Sequence, residues 1–188
     1  MPLYAPAAAP APLASGTYYY PISPLAVGTS STLGVGFLHV TPWIVGQPTS
    51  IARLCAEVSG AGEAGSKVRL GLYADAGTNY PGALVVDGGT INGDSATVQE
   101  VTVAVTLAPG QYWLAAAVQV VVTTQPTVRT ASGWLPPVPI SAGTSLPAAA
   151  GTAGIGYSLS GVTGALPSTY TAGGTAGATK PRVFVRTA

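Results

Sequence analysis

Side chains that carry chemistry are scarce in this chain: its 188 residues include seven Lys and Arg, six Asp and Glu, one His and one Cys. A zinc centre needs several His, Cys or acidic ligands converging on one ion, and His39 and Cys55 alone do not supply them. A single cysteine also excludes an intrachain disulfide. Cys55 stands in the strand-like run Ile51–Val58, where a small buried thiol is the ordinary reading. His39, beside Val40, reads as a hydrogen-bonded structural residue or a surface ring. No G-x-S-x-G elbow precedes a helix, and no Gly-rich loop stands in a phosphate-binding context. The expectation is a non-enzymatic chain with no catalytic residue, no cofactor and no metal.

The acids support the same expectation. Asp75, Asp87 and Asp94 fall in turn-like sequence, where a carboxylate ordinarily caps backbone N–H groups. Asp75 and Asp87 with loop carbonyls are the one conceivable calcium set, and no EF-hand spacing accompanies them. The cations Arg53, Lys67, Arg69, Arg129, Lys180, Arg182 and Arg186 are scattered, and the formal net charge is +1. Neutralising a run of phosphates takes a concentrated basic surface, so nucleic acid is not an expected partner. No apolar run approaches the roughly 20 residues of a membrane-spanning helix, so no membrane insertion is expected. The N-terminus lacks the basic region and unbroken apolar core of a secretory signal.

What is abundant is Gly (25), Pro (17) and β-branched sequence, within a 47% hydrophobic composition. Low charge combined with strong strand patterning points to a packed all-β fold rather than disorder. Strands are expected over Leu33–Val40, Trp43–Val45, Ser50–Val58, Lys67–Tyr73, Ala83–Val86, Val98–Leu107, Gln111–Thr123, Ile155–Leu159 and Arg182–Arg186. In Lys67–Tyr73, Val68, Leu70 and Leu72 share one face, opposite Lys67, Arg69 and Tyr73. Asp87-Gly88-Gly89 reads as a break. Ala108-Pro109-Gly110 between two alternating runs reads as the best hairpin turn in the chain, and Gln111–Thr123 as its longest strand. No helix is expected. The fold class is an antiparallel β-sandwich, jelly-roll-like, with an extended N-terminal arm.

The chain divides into a Pro/Ala-rich arm, residues 1–16, and a β-sandwich domain, residues 17–188, with long Gly/Pro-rich loops around 134–151 and 160–179. Proline fixes φ and withholds a donor, which favours an extended arm. Leu3, Tyr4 and Leu13 in that arm would gain by lying against another protein surface. Tyr18-Tyr19-Tyr20 would place one ring opposite its neighbours, bridging a core and an interface, with Tyr19 as the interface candidate. Trp43, Tyr80 and Trp113 are further aromatics, Trp113 being the core candidate. Trp134, Tyr157 and Tyr170 are the loop-region candidates for contact with a partner or a sugar ring.

The segment Gly65-Ser-Lys-Val-Arg-Leu-Gly-Leu-Tyr-Ala-Asp-Ala-Gly-Thr-Asn-Tyr-Pro-Gly-Ala-Leu-Val-Val-Asp-Gly-Gly-Thr90, with Leu107-Ala-Pro-Gly-Gln-Tyr-Trp-Leu-Ala115, resembles modules of tailed-phage virion proteins. It is similar to minor tail or fibre proteins of phages and prophages of high-GC Gram-positive bacteria. Gly161-Val-Thr-Gly-Ala-Leu-Pro-Ser-Thr-Tyr170 fits the same style, and the likeness spans about Tyr18 to Tyr170. The resemblance implies a β-sandwich displayed on a virion assembled in the bacterial host cytoplasm. It also implies copies of the chain packed as a trimer, attachment to a major capsid or tail protein, and no catalytic residues. The short chain, without a fibre shaft, favours a capsid-decorating or tail-associated accessory over a receptor-binding fibre. The alternative is a carbohydrate-binding attachment module for host surface glycans, with Trp134, Tyr157 and Tyr170 as platform and Asp75 or Asp87 bonding sugar hydroxyls.

Overall fold

A computed structural model describes residues 11–20, 26–119, 123–132, 155–177 and 179–188. These residues form strands and turns, with no helix among them. In chain order the strands are β1 (Tyr18–Tyr19), β2 (Ala26–Thr32), β3 (Leu38–Val45), β4 (Thr49–Gly60), β5 (Lys67–Asp75), β6 (Pro81–Asn92) and β7 (Val98–Leu107). They continue as β8 (Gly110–Gln119), β9 (Thr127–Ser132), β10 (Gly156–Leu159), β11 (Thr175–Gly177), β12 (Thr179–Pro181) and β13 (Val183–Thr187). The fold is all-β, with two antiparallel sheets of mixed strand order. A seven-stranded sheet runs β1-β13-β4-β9-β12, with β2 also on β9 and β7 on β4. A six-stranded sheet runs β11-β10-β3-β8-β5-β6.

Period-two alternation builds the core. Leu54, Ala56 and Val58 of β4, Val103 and Leu107 of β7, and Val183 and Val185 of β13 come from the seven-stranded sheet. They share one apolar cluster with Val68, Leu70 and Leu72 of β5 and Leu114, Ala116 and Val118 of β8 from the other sheet. Each large aliphatic side chain buried this way contributes about 1.5–3 kcal/mol.

The six-stranded sheet is buried on its other face as well. Leu38, Val40, Tyr73, Trp113, Ala115 and Ala117 form a second cluster, roofed by Val162, Leu166 and Tyr170. Backbone bonds stitch this roof down: Val162 N–H to Gly36 O at 2.8 Å, Leu84 N–H to Ser168 O at 2.9 Å, and Tyr170 N–H to Gly82 O at 2.9 Å. The side-chain amide of Gln119 donates to Gly164 O at 2.6 Å, and an Asp87 carboxylate oxygen accepts the Leu166 N–H at 2.9 Å. The second Gly/Pro/Thr-rich stretch is therefore a cover, and Ala-rich β8 is buried on both faces.

Several sequence expectations change. β7 and β8 flank the Ala108–Pro109 turn but do not pair: β7 lies on β4, and β8 lies between β3 and β5. Both runs turn apolar faces to the same core, so the chain steps from one sheet to the other there. The hairpin is instead β5–β6. Asp87-Gly88-Gly89 does not break β6, because the register shift opposite Leu70/Gly71 absorbs the extra residue as a bulge. The strand expected from Leu33 starts at Leu38, after a turn with Gly36 at φ 73°. β4 and β6 have 12 residues each; β8 is described over the 10 residues Gly110–Gln119, and residues 120–122 of the expected run Gln111–Thr123 lie outside the described residues. Ser/Thr-rich β2 and β9, and the short β11 and β12, add to the expected strands.

Candidate functional site

The described part of the arm is fastened at its root. Thr187, in β13, donates its hydroxyl to Ala14 O at 2.6 Å and accepts the Thr17 amide at 3.2 Å. The Ala14 amide donates to Tyr19 Oη at 2.8 Å. β1 then pairs with β13, Tyr18 opposite Arg186 and Tyr19 opposite Val185. Ahead of this root, Ala11 and Leu13 line a groove of about 310 Å³ with Trp43, Ile44, Val45, Gly46 and Gln47. Leu13 is 37% exposed and Ile44 68% exposed, while Trp43 also belongs to the main core. Ile44 alternates with Trp43 and Val45, which places it on the face of Leu38 and Val40 but bare of cover.

The tyrosine triplet divides as alternation requires. Tyr19, expected at an interface, packs against the core. Tyr18 is the exposed ring at 52% and donates to Glu100 at 2.6 Å, and that bond raises its pKa. Tyr20 packs at a tilt against Phe184, ring centroids 5.2 Å apart, and the Arg182 guanidinium lies 4.9 Å from the Phe184 ring. The outer face of the seven-stranded sheet is thus charged and internally paired, through Arg53–Glu100 and Arg129–Glu57 at 2.9 Å each. Cys55 is buried there, its thiol pushed up to about 12 by burial and by neighbouring Glu100.

Tyr157 and Tyr170 are brought together, but in the interior. They are 5% and 3% exposed and meet around Tyr80, whose ring centroid lies 4.7 Å from Tyr157 and 5.6 Å from Tyr170. Trp113 packs 5.6 Å from Tyr157 and donates its indole N–H to Asp75 at 2.9 Å. Burial pushes the Tyr157 hydroxyl up to about 12 and raises that of Tyr170 further. The rings expected to face a partner or a sugar serve instead to close the second face of the six-stranded sheet. Leu3, Tyr4 and Trp134 lie outside the described residues.

The acids act as caps and counter-ions. Asp75 accepts the amide of Gly77 at 2.7 Å and that of Asn79, which has φ 57°. Burial pushes the Asp87 carboxyl up, but the Leu166 and Gly89 amides and Arg69 outweigh it and hold the group below its usual range. Among the described residues no group of three or more His, Cys, Asp or Glu gathers as a metal set.

One polar chain is buried where β3, β10 and β12 meet. Lys180, 3% exposed, donates to Ser158 Oγ at 2.7 Å, and that oxygen lies 2.9 Å from His39 Nδ1. No Asp or Glu among the described residues forms an ion pair with Lys180. Burial lowers the Lys180 pKa to about 8; burial, with Lys180 alongside, lowers that of His39 to about 4. His39 is therefore a buried, hydrogen-bonded ring and not a surface one.

The structure thus joins Leu13 and Tyr19 at the arm root and Tyr157 with Tyr170 under the roof, as two separate groups. It adds Ile44, Thr187, Ser158 and Lys180, which residue type alone does not single out. Alternation in Trp43-Ile44-Val45 was the one available signal for Ile44. No protein-family model matches this chain, and no curated protein matches it.

Proposed function

We propose that this chain is a non-enzymatic structural protein of a virion surface, a jelly-roll-like β-sandwich that decorates the capsid or accompanies the tail. It attaches through its N-terminal arm. The observation that carries the attachment is the arm root: Thr187 and Tyr19 hold Ala14 against the body, so the chain ahead of it emerges beside an apolar groove with Ile44 exposed. A segment fixed to the body at its root couples whatever it binds to the whole domain. The resemblance to tailed-phage virion proteins supplies the setting. A net charge of +1, with Glu57, Asp87 and Glu100 in ion pairs, keeps long-range repulsion between closely packed copies small. Partners of this kind are copies of the chain, as a trimer, and a major capsid or tail protein.

The test is reconstitution. Particles lacking the protein are mixed with purified full-length chain or with a chain lacking residues 2–10, then sedimented. Full-length protein travels with the particles, and the truncated protein, folded by circular dichroism, stays behind. Equal recovery of the two on particles contradicts attachment through the arm.

A further inference from the structure

We propose that the groove at the arm root receives Leu3 and Tyr4 of a second copy of this chain. The inference deepens the assembly reading above and rests on it for the premise that copies meet.

The groove is apolar where an occupant would lie. Ile44, Leu13 and Ala11 form its open side, and Trp43 continues from it into the main core. Ile44 is the most exposed large hydrophobic residue among those described, and covering it removes apolar area from water. Ten residues precede Ala11, and Leu3 and Tyr4 are the large apolar side chains among them apart from Met1. A Leu and a Tyr match such a groove: one aliphatic group, and one ring with a polar tip for its rim.

Reach decides whose arm fills it. Between Tyr4 and Ala11 stand Ala5-Pro6-Ala7-Ala8-Ala9-Pro10. Pro/Ala sequence favours the extended polyproline conformation at about 3.1 Å per residue, so seven residues in that form would span roughly 22 Å. Ala11 itself lines the groove, so an arm extended from it would lead away from the groove of its own chain. Folding back would need a reversal in a stretch where Pro6 and Pro10 offer no N–H to hold a hairpin. A neighbouring copy's groove is within reach. Passed head-to-tail around a ring, arm-to-groove contacts are heterologous and close a trimer; exchanged reciprocally between two copies, they form an isologous dimer.

The test uses the full chain carrying Cys55→Ala with Tyr4→Cys and Ile44→Cys, treated with a short bismaleimide. The expected product is a closed oligomer on denaturing gels, with positions 4 and 44 joined between isotopically distinct copies in mass spectra. A link formed only within single chains, or no link, overturns the proposal. Because Ile44 is exposed, Ile44→Asp tests the same groove without disturbing the core. Self-association by sedimentation should weaken at least tenfold with the circular dichroism spectrum unchanged, and unaltered self-association would contradict the groove's role. The two readings fail differently. If truncation abolishes particle binding and no 4–44 link forms, the groove assignment alone is lost. If the link forms but the protein is absent from particles, the virion setting is lost and the groove assignment stands.

Discussion

Thr187 and Ala14, 173 positions apart in sequence, are joined by a hydroxyl-to-carbonyl hydrogen bond of 2.6 Å. The bond ties the described arm to β13, which lies between β1 and β4 in the seven-stranded sheet. Thr187→Val keeps the β-branched shape and removes the donor. We expect it to lower stability by about 1 kcal/mol and to leave the sheets intact. Its larger effect is local: proteolysis between Ala11 and Gly16 should accelerate several-fold. Unchanged cleavage in this variant would mean that Thr187 does not hold the arm.

Gly71 occupies the one kind of position where a methyl group has no room. A Cβ there would press on Leu166 of the roof and meet the Val86 carbonyl at 2.8 Å. Gly71→Ala should cost about 1–3 kcal/mol through overpacking. Its mark would be early loosening of residues 160–174 in hydrogen exchange, ahead of the main core. Wild-type protection across that segment would refute the tight seat assigned to Leu166.

The buried Lys180–Ser158–His39 chain makes stability depend on pH in two windows. The unfolded chain binds a proton on His39 near pH 6.5, whereas the folded state resists until about 4. Stability therefore falls as pH drops through that interval, by up to about 3 kcal/mol from this group. His39→Gln should flatten the acid limb of a denaturation midpoint plotted against pH. Lys180 works in the alkaline window: the folded state releases its proton near 8 and the unfolded state near 10.5. Lys180→Met should thus gain on the order of 2–3 kcal/mol at neutral pH, a gain that fades as pH rises through that window. A Lys180→Met protein less stable than wild type at neutral pH would contradict an uncompensated buried ammonium.

Much of the fold was legible because alternation is a local signal. Val68, Leu70 and Leu72 announce one buried face, and Trp113, Ala115 and Ala117 opposite Leu114, Ala116 and Val118 announce a strand covered on both. Which strands pair was less legible. Pro109-Gly110 looks the same whether the flanking runs form a hairpin or part to different sheets, and only the shared core decides. β2 and β9 are hard to read from sequence because Ser and Thr dominate them; Thr29 and Thr130, for example, meet through their hydroxyls at 2.8 Å. Tyr157 and Tyr170 looked like surface rings because their segments are rich in Gly and Pro. What sequence does not display is that the six-stranded sheet needs a roof on its outer face. The arm root was half legible: Leu13 stood out, while Thr187 became meaningful only when β13 brought it beside Ala14.

The most direct measurement is quantitative mass spectrometry of purified particles produced by the genome that encodes this chain. The account predicts the protein in those particles at a fixed ratio to a major capsid or tail protein, retained through washing. Its absence from particles, with the protein recovered only from the soluble lysate, would contradict it.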